Sequence, residues 1–208
     1  MVDLATLTAA VEAGDRKTAV AITQSAIDEG MAPQLILDAM TKAMDTVGGK
    51  FARNELYVPE MLISARAMKE STALLEPLLV KAGIRPEHTA VVGTIKGDLH
   101  DIGKNLVAMM WKGAGIAIVD LGTNVSAEQF VAAAKEHNAS LVGVSALLTT
   151  TMVGMKDVVA AVKGAGLRTK VLVGGAPLTP EFAASIGADG YAPDAASAVE
   201  VARGILAA

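Results

Sequence analysis

Ala90-Val91-Val92-Gly93-Thr94, followed after two residues by Gly97-Asp98-Leu99-His100-Asp101-Ile102-Gly103-Lys104-Asn105, is the stretch that decides the architecture of this chain. The first piece is a short, continuous apolar run of the kind buried in a parallel sheet. The second opens with a glycine and leads into a helical pattern beginning near Ile102. A histidine therefore stands on the loop leaving the carboxyl end of a strand, where open α/β sheets bind their ligands. Asp98 lies two residues before His100, close enough to accept a hydrogen bond from one ring nitrogen. Such a bond sets the tautomer and leaves the other nitrogen free for a metal. Gly103 has no Cβ, so a large group can approach the backbone there. These residues point to one imidazole held toward a bulky, metal-bearing ligand.

Two plainer accounts compete, a solvated loop histidine and a phosphate loop. The P-loop needs four residues between its first glycine and the Gly-Lys pair, then Ser or Thr for magnesium. Gly97 and Gly103 enclose five residues, and Asn105 follows Lys104, so the spacing is wrong. No G-x-G-x-x-G stands in this turn either. Composition narrows the class further. The absence of cysteine excludes disulfides, Cys-ligated zinc and iron–sulfur clusters. His88, His100 and His137 are too scattered for an obvious metal cluster made by the protein alone. A net charge of −4, with one Trp, two Tyr and three Phe, argues against a nucleic-acid surface. No apolar run approaches a membrane span, and Met1-Val2-Asp3-Leu4 lacks the features of a signal peptide. The expectation is a soluble, cytoplasmic α/β or α-plus-α/β protein.

Residues 1–88 read as helical. Leu4, Leu7 and Val11, then Val20, Ile22 and Ile27, keep helical spacing. Gly14 and Gly30 fit C-terminal caps, and Asp15 fits an N-cap. A third helix is expected from Pro33 to about Phe51, and a fourth from Pro59 to Lys81, disturbed at Pro77. Four helices with short connections predict a small bundle. The segment Ala82-Gly83-Ile84-Arg85-Pro86-Glu87-His88 reads as a linker. Over 89–208 the rhythm changes to short apolar runs alternating with helices. Strands are expected at 89–94, 116–120, 141–145, 170–174 and 188–191, and helices at 102–112, 126–137, 152–164, 180–186 and 195–206. That alternation predicts a five-stranded parallel sheet with right-handed crossovers, of flavodoxin-like (Rossmann-type) order.

Asp98-Leu99-His100-Asp101-Ile102-Gly103 resembles the D-x-H-x-x-G signature of cobalamin-binding domains, found in methionine synthase, cobalamin-dependent mutases and the small corrinoid proteins of anaerobic methyltransferase systems. The later strand ends extend the resemblance. Gly143-Val144-Ser145-Ala146-Leu147-Leu148-Thr149 resembles the family's G-x-S-x-L-x-T segment beside the dimethylbenzimidazole tail. By that match Ser145, Leu147 and Thr149 lie along the tail, and Thr151 supplies a hydroxyl to the aspartate of the Asp–His pair. Gly174 and Gly175 match the bare backbone against which the nucleotide base slides. Tyr191 and Ala195 match positions near the corrin edge or tail. With Gly97, Leu99, Asp101 and Ile102 of the first loop, the resemblance covers essentially all of 89–206.

In the helical region, Gly48 to Met61 resembles the joint between the last two helices of the methionine synthase cap. The family places apolar side chains there over the methyl face of the corrin, and the matching positions are Phe51, Val58 and Met61. A capped cobalamin domain of this size is similar to the corrinoid proteins of methyltransferase systems. The resemblance implies a methyl carrier with cobalamin bound base-off and His100 as the lower cobalt ligand. Asp98, backed by Thr151, tunes His100 while cobalt cycles between Co(I) and methyl-Co(III). The implied partners are a donor methyltransferase, an acceptor methyltransferase serving tetrahydrofolate or a thiol, and a reductive activase. Implied donors are methanol, methylamines, glycine betaine or aryl methyl ethers. The chain would then be a carrier subunit rather than a complete enzyme. A cobalamin-dependent sensor and a flavodoxin-like nucleotide or response-regulator module are the alternatives.

Overall fold

A computed structural model describes residues 2–207 of the chain and divides them between Pro86 and Glu87 into two units. The first contains four helices: α1 (Leu4–Glu12), α2 (Arg16–Asp28), α3 (Pro33–Ala52) and α4 (Val58–Lys81). Each boundary has a local cause. The Asp3 and Asp15 carboxylates accept from the backbone N–H groups of Ala5 and Thr18, relieving unpaired donors at the first turns of α1 and α2. Gly14 and Gly30 leave those helices at φ +69° and +73°, a conformation open to glycine. The helices pack as a bundle whose buried side chains include Leu7, Val11, Ile36, Met40, Met44 and Leu75. Pro77 does not disturb α4, contrary to expectation. Pro77 and Ala73, whose carbonyl loses its helical partner, are both exposed, so water meets the freed acceptor.

The second unit is one parallel sheet of β1 (Thr89–Thr94), β2 (Ala117–Asp120), β3 (Leu141–Ser145), β4 (Lys170–Gly174) and β5 (Gly190–Ala192), ordered β2-β1-β3-β4-β5. This is the flavodoxin-like order, which puts a topological switch point between β1 and β3. The helices of this unit are α5 (Ile102–Gly113), α6 (Ala127–Glu136), α7 (Thr149–Met152), α8 (Met155–Gly164) and α9 (Pro180–Ser185), which link successive strands, and α10 (Ala195–Leu206), which follows the last strand. α5 packs with α10, and α6 with α8. Glycine makes room for the two largest core side chains: a Cβ on Gly143 would stand 2.8 Å from the Trp111 ring, and one on Gly93 2.8 Å from Phe130. Trp111 also donates its indole N–H to the Ala198 carbonyl at 2.9 Å, joining α5 to α10.

The strand runs at 89–94, 141–145 and 170–174 match the expected bounds. β2 begins one residue late, at Ala117, α6 is a residue shorter at each end, and two segments differ more. The helix expected at 152–164 is two helices, α7 and α8, separated at Val153-Gly154. β5 begins at Gly190 rather than at residue 188, because the Asp189 carboxylate turns back to accept from the Val171 N–H at 2.8 Å. At the carboxyl edge one register row, Thr94–Ser145–Gly174–Ala192, crosses four strands. The loops above that row carry the motifs singled out in the sequence.

Candidate functional site

The β1–α5 loop begins at Ile95 and ends at Asp101, the N-cap residue of α5. Asp98 is fully buried in it, and one carboxylate gathers donors from two loops. Its Oδ1 accepts from the His100 N–H at 3.1 Å and faces His100 Nδ1 at 2.7 Å. Its Oδ2 accepts from the Leu147 N–H at 2.8 Å, the Leu148 N–H at 3.3 Å and the Thr151 hydroxyl at 2.8 Å. The buried Thr94 hydroxyl donates to the His100 carbonyl at 2.8 Å and fixes the backbone beneath the ring. Burial pushes the Asp98 carboxyl up. Hydrogen bonds from Leu147, His100 and Thr151 outweigh it and hold the group well below the usual carboxylate range.

An ionised carboxylate only accepts, so the proton in the 2.7 Å contact sits on His100 Nδ1. In the neutral ring Nε2 is then the nitrogen with a lone pair, and the side chain is 52% exposed. The surroundings are apolar and open. Leu99 and Ile102 are 74% and 75% exposed, and Leu147 and Leu148 are also exposed. No atom lies within 4 Å of a Cβ built on Gly103. Among the described residues no group of three or more His, Asp or Glu side chains could hold a metal. A metal at Nε2 must therefore arrive in a ligand frame of its own. A flat, apolar macrocycle fits the exposed leucines, the isoleucine and the bare glycine.

The structure places the expected site residues in different settings. His100, Asp98, Leu147 and Thr151 are joined directly, and Gly97 stands beside them, its built Cβ 3.6 Å from Thr151 Cγ2. Asp101 faces solvent and accepts from the Asn105 side chain at 3.1 Å. Ser145 is half-buried in the register row, paired with Gly174, while Thr149 is exposed at the start of α7. Gly174 and Gly175 are demanded by the fold itself. A Cβ on Gly175 would stand 1.9 Å from the Ala146 carbonyl oxygen, and one on Gly174 2.8 Å from that of Ala192. Tyr191 and Ala195 are occupied in packing: the Tyr191 hydroxyl donates to the Leu178 carbonyl at 3.1 Å, and Ala195 is buried in the first turn of α10. In the helical unit Phe51 and Val58 are half-buried, whereas Met61 is fully buried in α4.

Sequence reasoning missed the residues that brace this loop from the β2–α6 connection. Asn124 Oδ1 accepts from the Gly97 N–H at 2.8 Å, and the Asn124 N–H donates to the Asp98 carbonyl at 3.0 Å. Lys104, buried in the first turn of α5, reaches both oxygens of Asp120 at 2.7 and 2.6 Å. Gly122-Thr123-Asn124 after an apolar run is a turn signal, which gives the loop but not its partners.

A family model described as a B12 binding domain matches residues 88–200, and a second B12 binding domain model matches residues 4–76. A corrinoid protein of Desulfitobacterium hafniense (strain Y51) is 41% identical over 199 residues, covering 93% of this chain and 92% of its own length. The dimethylamine corrinoid protein of Methanosarcina barkeri is 39% identical over 195 residues, covering 92% of each. Among solved structures, a cobalamin-binding protein from Desulfitobacterium hafniense DCB-2 matches with a TM-score of 0.81 and 28% identity over 99% of both chains. The methanol:cobalamin methyltransferase complex from Methanosarcina barkeri contains a chain that matches with a TM-score of 0.86 and 30% identity, over 98% of this chain and 80% of that one. These likenesses run through both units and agree with an open imidazole beneath an apolar rim: the chain belongs to the corrinoid-binding proteins of the B12-binding family.

Proposed function

We propose that this protein is a methyl carrier of a corrinoid methyltransferase system, with residues 89–208 holding the corrinoid and residues 1–88 shielding its reactive face. The observation that carries the proposal is the His100 imidazole, anchored at Nδ1 by Asp98 and open at Nε2 on a half-exposed ring. When bound, the corrin cobalt supplies a centre that can take up and give up a methyl group. His100 serves as its lower ligand in a base-off complex, Asp98 holds the ring proton at Nδ1, and Thr151 holds Asp98. Gly97, Leu99, Asp101, Ile102 and Gly103 form the surface under the macrocycle. Ser145, Leu147, Thr149, Gly174, Gly175, Tyr191 and Ala195 are assigned to its tail and edge.

The names of the relatives support the choice of partners. One is a dimethylamine corrinoid protein, and one structural match comes from a methanol:cobalamin methyltransferase complex. The proposed partners are a substrate:corrinoid methyltransferase as donor and a methyltransferase serving tetrahydrofolate or a thiol as acceptor. A reductive activase would restore the cofactor after adventitious oxidation. Electron paramagnetic resonance of the protein loaded with cob(II)alamin tests the ligand assignment. A nitrogen splitting that vanishes in His100→Ala is the expected result, and its persistence in that variant overturns the assignment.

A further inference from the structure

The Asp98 carboxylate is satisfied by its own donors, but the direction in which it leaves the backbone is set elsewhere. Three backbone groups orient the Gly97–Asp98 segment: the Asp98 N–H, the Gly97 N–H and the Asp98 carbonyl. The first donates to the Ile95 carbonyl at 3.1 Å, within its own loop. Asn124 takes the other two, the Gly97 N–H with its side-chain oxygen at 2.8 Å and the Asp98 carbonyl with its own N–H at 3.0 Å. One residue of the β2–α6 loop thus grips both sides of the Gly97–Asp98 peptide junction.

Asn124 is itself held in an uncommon shape. Its φ is +57°, in the left-handed region that asparagine tolerates better than most residues. The neighbouring backbone is locked to β1 on both sides: the Thr94 N–H donates to the Gly122 carbonyl at 2.9 Å, and the Val125 N–H to the Thr94 carbonyl at 2.9 Å. Gly122 is tied in turn to Asp120, whose carboxylate accepts from the Gly122 N–H at 2.9 Å and from buried Lys104. The loop holding Asn124 is therefore a fixed platform rather than a loose strap.

We propose that Asn124 is a positioning residue for His100: by fixing the Gly97–Asp98 backbone it holds the Asp98 carboxylate against Nδ1 and so keeps Nε2 presented to the ligand. The proposal rests on the assignment of His100 as the cobalt ligand, and the test separates the two. Asn124→Gly keeps the left-handed backbone free of strain but removes the acceptor for Gly97, while Asn124→Asp keeps an acceptor oxygen. The 15N shifts of the His100 ring in the apo-protein, at one fixed pH, report the tautomer without any cofactor. The expected result is a parent and Asn124→Asp that are almost wholly Nδ1–H, and an Asn124→Gly in which the Nε2–H share rises several-fold. In protein loaded with cob(II)alamin, Asn124→Gly should lose at least threefold of the His100-dependent nitrogen splitting, with the thermal midpoint close to the parent's. Unchanged ring shifts in Asn124→Gly, or an equal disturbance in Asn124→Asp, overturn the proposal. If the ring shifts move as expected but the splitting of the parent survives His100→Ala, the ligand assignment falls and the role of Asn124 stands. Should Asn124→Gly fail to fold, Asn124→Ser, too short to reach Gly97, is judged by the same criteria.

Discussion

Replacing Asp98 with asparagine keeps the shape of the side chain and changes what it can accept. The carboxylate faces five donors, two on Oδ1 and three on Oδ2. An amide NH2 pointing toward Leu147 and Leu148 would leave two backbone N–H groups facing a donor. The opposite orientation strands only the His100 N–H, because the ring can answer an NH2 by giving up its Nδ1 proton. That orientation wins. One buried N–H without an acceptor costs about 1–3 kcal/mol, and bonds that lose a charged partner give up about 1 kcal/mol each. With three such bonds on Oδ2 the sum is about 5 kcal/mol, or a fall of about 10–20 °C in the melting temperature of a chain this size. The ring consequence is separate. With Nδ1 accepting, the proton moves to Nε2, and a cobalt–nitrogen bond then requires the tautomer to be reversed. At about 1.4 kcal/mol per factor of ten, a reversal costing that much lowers the ligated fraction tenfold. Thermal unfolding of the apo-protein by circular dichroism measures the first effect, and nitrogen splitting in the cob(II)alamin complex the second. A melting temperature within 2–3 °C of the parent's, together with full splitting, would refute the reasoning, since about 5 kcal/mol cannot be hidden in so small a shift.

Four further outcomes can be measured. Because the folded-state pKa of Asp98 is depressed, its contribution to stability is complete above the unfolded value near 4 and is lost as pH falls below it. Acid unfolding of the parent should therefore be steeper below about pH 4 than that of Asp98→Asn, and parallel curves would contradict this. Gly175→Ala should destabilise the apo-protein by about 3 kcal/mol or more, since a Cβ 1.9 Å from the Ala146 oxygen forces backbone movement. Gly103→Ala, with open space at its Cβ, should leave melting unchanged or slightly raised yet weaken cobalamin binding in a titration; unchanged affinity would mean that no ligand approaches Gly103. If residues 1–88 shield the reactive face, Phe51→Ala and Val58→Ala should speed photolysis of the methylcobalamin-loaded protein, and rates equal to the parent's would return both side chains to bundle packing.

What the sequence made legible was local or strongly patterned. β1, β3 and β4 are apolar runs bounded by turn residues, so their ends fell where expected. The Asp98–His100 bond spans two residues and could be foreseen from spacing alone. The Thr151–Asp98 bond spans 53 residues, and only likeness to a family pointed to it. α7 went unseen because Thr149-Thr150-Thr151-Met152 is poor helical sequence, and its turn forms where the Leu147 and Leu148 N–H groups bond to Asp98. Lys104 escaped notice since a lysine in the first turn of a helix is ordinarily solvated, and nothing nearby announces Asp120 at the end of the neighbouring strand. Gly174 and Gly175 suggested room for a ligand, and the sequence alone did not show that a Cβ at either position would also meet the chain's own carbonyls.

The two-loop anchoring of Asp98 bears on how portable this site is. A designer who grafted Asp98-Leu99-His100-Asp101-Ile102-Gly103 alone onto another doubly wound sheet would carry over the imidazole but none of the Leu147, Leu148 and Thr151 donors that hold Asp98. The transplanted aspartate would be either solvated or a buried charge with too few partners, and the ring would sample both tautomers. A pattern search on those six residues has the same weakness, since any strand-end loop can hold an aspartate and a histidine two apart. Requiring a hydroxyl residue after the strand that pairs with β1 on its other side, at the spacing Thr151 keeps from Asp98, would turn a short string into a three-dimensional criterion.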